Sequence, residues 1–233
     1  MQQPIIKISK RALRITIKID KRKNIYLTIP KKTAKKTALD FFHSKKKWIE
    51  KHLKKMPDIM EDIGGLPEEL NLISISEKYK INYIQSPVLE RMNIEILIPL
   101  KTINLHGNIK NKNLVILSIK KALKVIAHEK LTILLQNSAK KYNLPYNKLT
   151  IKDNKTNWGS CSAQKNINLT IKLLFLPFEL LEFIMIHELC HTVHLNHSVD
   201  FWNLCRQKLP DNEKLKKTFN QQTHQYIPCW MDL

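Results

Sequence analysis

Glycine is nearly absent from this chain, with 4 in 233 residues, and no Gly-x-Gly-x-x-Gly or Gly-x4-Gly-Lys-Ser/Thr string occurs. That excludes the glycine-built phosphate cradles of Rossmann and P-loop proteins. Cysteine is equally scarce: Cys161, Cys190, Cys205 and Cys229 form no Cys-x-x-Cys pair. Neither a disulfide framework nor a zinc ribbon fits that spacing, and the chain reads as a reduced, cytoplasmic protein. A long apolar run is also missing. The most apolar stretch, Leu173 to Ile186, is too short for a bilayer and contains Glu179 and Glu182. The first residues interrupt their apolar positions with charge, so no signal-peptide core is expected. Secretion and membrane insertion are therefore both excluded from the expectation.

What is present is lysine. Lys plus Arg total 40 against 20 Asp plus Glu, a formal charge of +20, yet only five of the basic residues are arginine. Two readings of this charge stay open. One is an electrostatic footprint for nucleic acid. The other is a composition biased towards Lys, Ile and Asn, which the shortage of Arg favours, because phosphate-reading surfaces use its bidentate fork. Hydrophobic residues make up 43%, enough for an ordinary core. The length allows one large domain or two small ones.

Residues 13–29 alternate as a strand pair, with a turn at Lys21–Asn24. A helix is expected over Thr33–Lys54, with Ala34, Ala38, Phe41, Phe42, Trp48, Ile49 and Leu53 apolar and lysines on its wet face. Pro57, Gly64, Gly65 and Pro67 mark a connection. Short β-like runs follow at Leu72–Ser76, Lys80–Ile84, Ile94–Leu100 and Leu114–Leu117, separated by turns at Gln85–Pro87 and His106–Asn113; they predict a small, mostly antiparallel sheet. From Ile119 the period becomes helical, with His128 among the inward positions, as far as Tyr142–Pro145. Strands at Leu149–Lys152 and Ile167–Leu174 flank a polar loop. Pro177 then opens a helix with Phe178, Leu181, Ile184 and Met185 inward, and further helices begin near Ser198 and Asp211. The expected fold is α+β. Residues 1–118 would form a hairpin, a lysine-rich helix and a small β-rich region, and residues 119–233 a catalytic domain.

The chemical signal is His187-Glu188-Leu189-Cys190-His191. Two histidines four apart on a helix stand about 40° apart around the axis and about 6 Å apart along it. Both imidazoles can then reach one metal ion. The glutamate lies beside the ligands, where it suits a general base acting on metal-activated water. A third ligand is offered by His197 or His194. His197 is preferred, because the chain can reach back if it turns at Leu195–Asn196, and Asn tolerates the left-handed conformation at a helix end. Three neutral imidazoles with an open position favour one catalytic Zn2+. Asp200 and Glu182 are candidates to orient the imidazoles, and Tyr226, His224 and Arg206 to stabilise an oxyanion.

Trp158-Gly159-Ser160-Cys161-Ser162, a following strand, Pro177, HELCH, Asn196-His197-Ser198 and Phe201-Trp202, in that order, resemble the YgjP-like metallopeptidase family. A more distant similarity is to SprT-type and WLM-type zinc peptidases. The likeness is clearest over residues 145–210. It implies a zincin-like catalytic domain, a helix carrying HExxH packed on a small sheet. It also implies His187, His191 and His197 as zinc ligands and Glu188 as catalytic base. Such sequences typically carry Arg just before WGSC, where this chain has Asn157. The metzincin spacing is matched too, but His194 replaces its glycine and no Met-turn is visible.

Gly159 is expected to let the backbone turn, Trp158 to pack under the metal helix, and the strand after WGSC to offer an edge to an extended peptide. A structural turn with a buried Trp and a substrate contact through Trp158, Gly159 and Ser160 remain equal readings of this loop. Cys190, Phe201 and Trp202 read as packing residues. The expected function is zinc-dependent hydrolysis of peptide bonds in a protein or peptide substrate. The alternatives are a non-peptidase zinc amidohydrolase and a nucleic-acid-associated protein, including a DNA-stimulated protease.

Overall fold

A computed structural model describes residues 3–9, 11–19, 24–55, 65–86 and 91–232. The chain divides into two compact units, Met1–Gly64 and Gly65–Leu233.

In the first unit, strands β1 (Ile5–Ser9), β2 (Thr16–Ile19) and β3 (Ile25–Pro30) form a sheet of order β1-β3-β2. β2 and β3 are the antiparallel pair expected from alternation, in register Thr16 opposite Thr28. Of their expected turn, Lys21–Lys23 lie outside the described residues. β1 was not anticipated; it runs parallel to β3. The expected single helix is two: α1 (Lys35–Ser44) and α2 (Lys46–Lys55), broken at Lys45. The break lets Ala38 and Phe42 of α1 and Ile49 of α2 reach one core with Ile25, Leu27 and Ile29. Trp48, expected on the apolar face, is 43% exposed. The expected connection at Met56–Gly64, with Pro57 and Gly64, and the turn residue Pro87 lie outside the described residues.

In the second unit, β4 (Glu69–Leu72), β5 (Glu77–Gln85), β6 (Asn93–Leu97) and β7 (Thr102–Gly107) form a sheet of order β4-β5-β7-β6. β7 sits at the centre of this sheet in a stretch partly read as a turn, and it pairs parallel with β5. The long helix α3 (Lys112–Tyr142) starts seven residues before the expected Ile119. Asn111 sets that start, its Oδ1 accepting from the Leu114 N–H at 3.1 Å. Leu114–Leu117, expected as a strand, is therefore helix, and it brings Val115 and Ile116 into the core. His128 is exposed rather than inward.

The boundary between the two units lies after Gly64 and not after residue 118. The physical reason is burial: one core runs from Leu70 and Tyr79 through Ile103, Leu105 and α3 to Leu189, Phe201 and Met231. The β-rich region thus shares its core with residues 119–231.

The last sheet has order β8-β10-β9, built from β8 (Lys148–Lys152), β9 (Gly159–Cys161) and β10 (Asn166–Thr170). β10 is parallel to β8 and antiparallel to β9. Helices α4 (Phe178–Cys190), α5 (Val199–Lys208) and α6 (Asn212–Tyr226) complete the α+β arrangement. α4 is apolar on nearly every side and is buried accordingly, although Phe178 at its start is 42% exposed. Among the described residues, no helix is long and apolar enough to cross a membrane.

Candidate metal centre

Pro177 is the N-cap of α4, which carries His187 on its last turn and ends with His191 as its C-cap. The helix closes through a tight set of backbone bonds: Thr192 N–H to Leu189 C=O at 3.0 Å, and Val193 and His194 N–H to Cys190 C=O at 3.1 and 3.0 Å. The chain then folds back through Leu195 and Asn196. This reversal needs no left-handed residue; Asn196 is not among the positive-φ positions. Ser198 starts α5, its Oγ accepting from the Phe201 N–H at 3.3 Å.

This reversal places His197 over the helix pair. Its Nε2 lies 3.1 Å from His187 Nε2 and 3.2 Å from His191 Nε2. The three rings are a group whose ligand atoms all lie within 4.8 Å of one another. Metal–nitrogen bonds of about 2.0–2.1 Å in a tetrahedron put neighbouring nitrogens about 3.3–3.4 Å apart. The donor set therefore fits one divalent ion. It fits a purely hydrogen-bonded cluster poorly, because three Nε2 atoms have too few protons to share.

His194 contributes through its backbone rather than its ring. Its carbonyl accepts from His191 Nδ1 at 2.9 Å, which leaves the Nε2 lone pair of His191 for a metal. Asp200 is exposed, and neither it nor Glu182 orients an imidazole: a main-chain carbonyl serves His191, and His187 Nδ1 is buried without a partner among the described residues. Two aromatic rings of α5 hold the triad from behind. Phe201 stacks on His191, with centroids 4.3 Å apart and planes at 23°. Trp202 stacks on His197 at 5.6 Å and 25°. The Lys216 ammonium in turn sits 3.7 Å from the Trp202 ring centre. Phe201 and Trp202 thus do more than fill the core; they set the attitude of two imidazoles.

Burial makes the site electrostatically unusual. It pushes His187 down to about 3, helped by the neighbouring His191, His197 and Lys216. It also lowers His191, against the opposing bond to the His194 carbonyl. Neutral imidazole, the metal-binding form, is thereby favoured. Burial alone pushes Glu188 up to about 8. Its Oε2 is enclosed and has no hydrogen-bond partner among the described residues.

What encloses Glu188 is the WGSC strand. A Cβ on Gly159 would lie 2.6 Å from Glu188 Oε1 and 2.7 Å from its Cγ. Gly159 lies in β9, with no positive φ, so its role is close approach rather than the expected tight turn. Ser160 points to the other face, where its Oγ accepts from Asn168 Nδ2 at 3.2 Å. Trp158 packs edge-on against Phe219 of α6, 5.2 Å between centroids, and Phe219 meets Phe183 of α4. The strand expected to offer a free edge, β10, is central in its sheet; β9 is the edge. Trp158 C=O and Ser162 N–H bond to β10, so by alternation the main-chain groups of Gly159 and Cys161 face outward. Asn157 Nδ2 donates to the Gly159 carbonyl at 3.3 Å.

Among the described residues, no hydrogen bond or ring contact joins an oxyanion candidate to the triad. Arg206 donates to Asn203 Oδ1 at 2.6 Å and pairs with Glu213 at 3.5 Å; His224 is exposed; Tyr226 packs against the core. Cys190 is fully buried and faces the equally buried Cys205, as a packing residue would. The His194 carbonyl and the Lys216–Trp202–His197 stack escaped the sequence reading. A backbone acceptor leaves no trace in residue type, and Lys216 lies 19 positions from the ligand it backs.

Residues 13–222 match the YgjP-like metallopeptidase domain. No curated protein matches the chain. A solved structure it is similar to is that of the metallopeptidase zymogen of Pyrococcus abyssi abylysin, 23% identical, covering 40% of this chain and 92% of that one, with a TM-score of 0.36.

Proposed function

The chain belongs to the YgjP-like metallopeptidase family and is a metal-dependent peptidase, and on that premise we propose that His187, His191 and His197 hold one catalytic zinc ion with Glu188 as the general base. The observation that carries this reading is the meeting of three Nε2 atoms, 3.1 and 3.2 Å apart, beside a buried carboxylate whose Oε2 has no hydrogen-bond partner among the described residues. A bound zinc ion supplies a Lewis acid that acidifies water and polarises a carbonyl oxygen, and its charge offsets the burial that raises Glu188.

The chain's own groups do the rest. Glu188 accepts a proton from the attacking water and delivers it to the departing nitrogen. Gly159, lacking a side chain, keeps that carboxylate pressed against β9 and away from bulk water. The outward main-chain groups of Gly159 and Cys161 pair with an extended substrate backbone. A substrate held this way is a peptide or an unfolded protein segment rather than a small amide, which has no backbone to pair.

The test is Glu188→Gln, assayed on an unstructured protein beside a panel of small amides. Hydrolysis of the protein falls by about 10²–10⁴-fold while metal content stays at the wild-type level. Cleavage at the wild-type rate would overturn the assignment. Wild-type turnover of the small amides alone would replace peptidase with amidohydrolase chemistry.

A further inference from the structure

The charge of this chain is not spread evenly. Residues 1–64 hold 18 Lys plus Arg against 6 Asp plus Glu, whereas residues 65–233 hold 22 against 14. A compositional bias acting on the whole chain does not place that excess in its shortest part. We propose that the first unit binds single-stranded nucleic acid through the outer flank of α1 and α2, with Trp48 as a stacking platform. The proposal does not rest on the peptidase reading.

The flank has both elements such binding needs. Lys31, Lys32, Lys35, Lys36, Lys47 and Lys51 are all exposed. On α2, with Lys47 and Lys51 as its neighbours, stands Trp48, 43% exposed, its ring 4.0 Å from that of His52 with planes at 32°. Trp48, Lys51 and His52 fall at i, i+3 and i+4 on one side of α2. One turn back, Lys45 stands 5.6 Å from the Phe41 ring centre. Flat rings set among ammonium groups match a polymer of alternating bases and phosphates, since each base has a face to stack and each phosphate a charge to meet.

The same features argue for one class of partner. An exposed indole gains its contact from an unstacked base, which a duplex does not offer. Residues 31–55, which supply this flank, hold lysine and no arginine, which removes the bidentate reading of base edges, so binding is indifferent to sequence. A membrane surface would need a free apolar helix face. α2 has none to spare: Ile49 is fully buried and Leu53 packs against the same core.

The experiment uses the full chain and a fluorescein-labelled oligothymidylate, followed by anisotropy across a salt series. Wild type binds with a falling log–log salt dependence, and Glu188→Gln binds as tightly, which separates this proposal from the catalytic one. Trp48→Ala weakens binding on the order of 10-fold at an unchanged salt slope. Lys47→Gln with Lys51→Gln makes the slope shallower by about 0.7 for each phosphate contact removed. Circular dichroism melts and metal content, both at wild-type values, show that these surface variants remain folded. Three results would overturn the proposal: unchanged affinity in both variants, duplex DNA bound as tightly as the single strand, or phosphatidylserine vesicles bound while the oligonucleotide is not.

Discussion

The two units place polar groups in opposite ways. In Met1–Gly64 the described buried residues are Ile25, Leu27, Ile29, Ala38, Phe42 and Ile49, all apolar, and every described lysine stays exposed. In Gly65–Leu233 the buried set includes Glu188 at 5% exposure, His191 at 8%, Thr192 and Asn212. Burying a carboxylate without a hydrogen-bond partner costs stability. A fold carries that cost where the group has work to do, which marks α4 as the reactive part of the molecule. The first unit meets no such cost, and in the proposal above its charge acts outward, on a nucleic acid. Chemistry and adhesion are thus separable, and variants can show where the separation fails.

The largest effect is expected on the triad itself. His187→Ala, His191→Ala and His197→Ala each empty the site, and His194→Ala leaves metal stoichiometric, because that residue acts through its carbonyl. Mass spectrometry of the native protein reads the difference directly. Loss of metal in His194→Ala with retention in His197→Ala would exchange the roles of the two residues. None of the four changes oligonucleotide affinity if the units work separately.

Gly159→Ala comes next. The added methyl meets the Glu188 side chain, 2.6 Å from Oε1 and 2.7 Å from Cγ, so the buried carboxylate must leave the position it holds. Overpacking of this kind costs roughly 1–3 kcal/mol. The expected outcome is a lowered Tm and hydrolysis down by about 10²-fold, with metal retained. A variant of wild-type activity would mean that β9 moves away from α4 in solution.

That contact shows where the sequence stopped being informative. HExxH was legible because the helix period puts His187 and His191 on one face whatever surrounds them. The turn to His197 was legible as a need, but not in its means: Asn196 looked like the pivot, and the backbone bonds to Leu189 and Cys190 do that work. Gly159 was visible only as one of few glycines, since close approach depends on a residue 29 positions away. In the fold, Leu114–Leu117 looked like strand because four apolar residues in a row fit either period; Asn111 decided for helix. β7 was missed because the turn that joins it to β6 holds no glycine or asparagine, its left-handed position being taken by Lys101, and because its other partner β5 lies parallel, across an intervening strand.

A smaller effect is expected from Trp202→Ala. His197 is the exposed member of the triad and lies outside any helix, so the indole stacked on it supplies much of its fixed orientation. Groups that orient a ligand without binding the ion change metal affinity by about 10–100-fold. Competition with a chelator measures this, and Trp202→Phe restores part of the loss. An unchanged affinity would place the stability of His197 in its own backbone.

The smallest structural effect is reserved for the first unit. Lys46 and Glu50 form an exposed pair at 4.0 Å on α2. Such pairs sit in high dielectric, and the order gained by the side chains offsets most of the attraction. Lys46→Gln therefore shifts Tm by under about 2 °C. Oligonucleotide affinity nevertheless falls, and falls more at low salt than at high, because the lost charge acted through a field that salt screens within about 10 Å at 0.1 M. One substitution that leaves the fold as it was and weakens only the salt-sensitive binding is what a surface built for adhesion predicts. A lysine that changed stability and binding together would instead belong to the scaffold, and the contrast between the two units would lose its physical basis at that position.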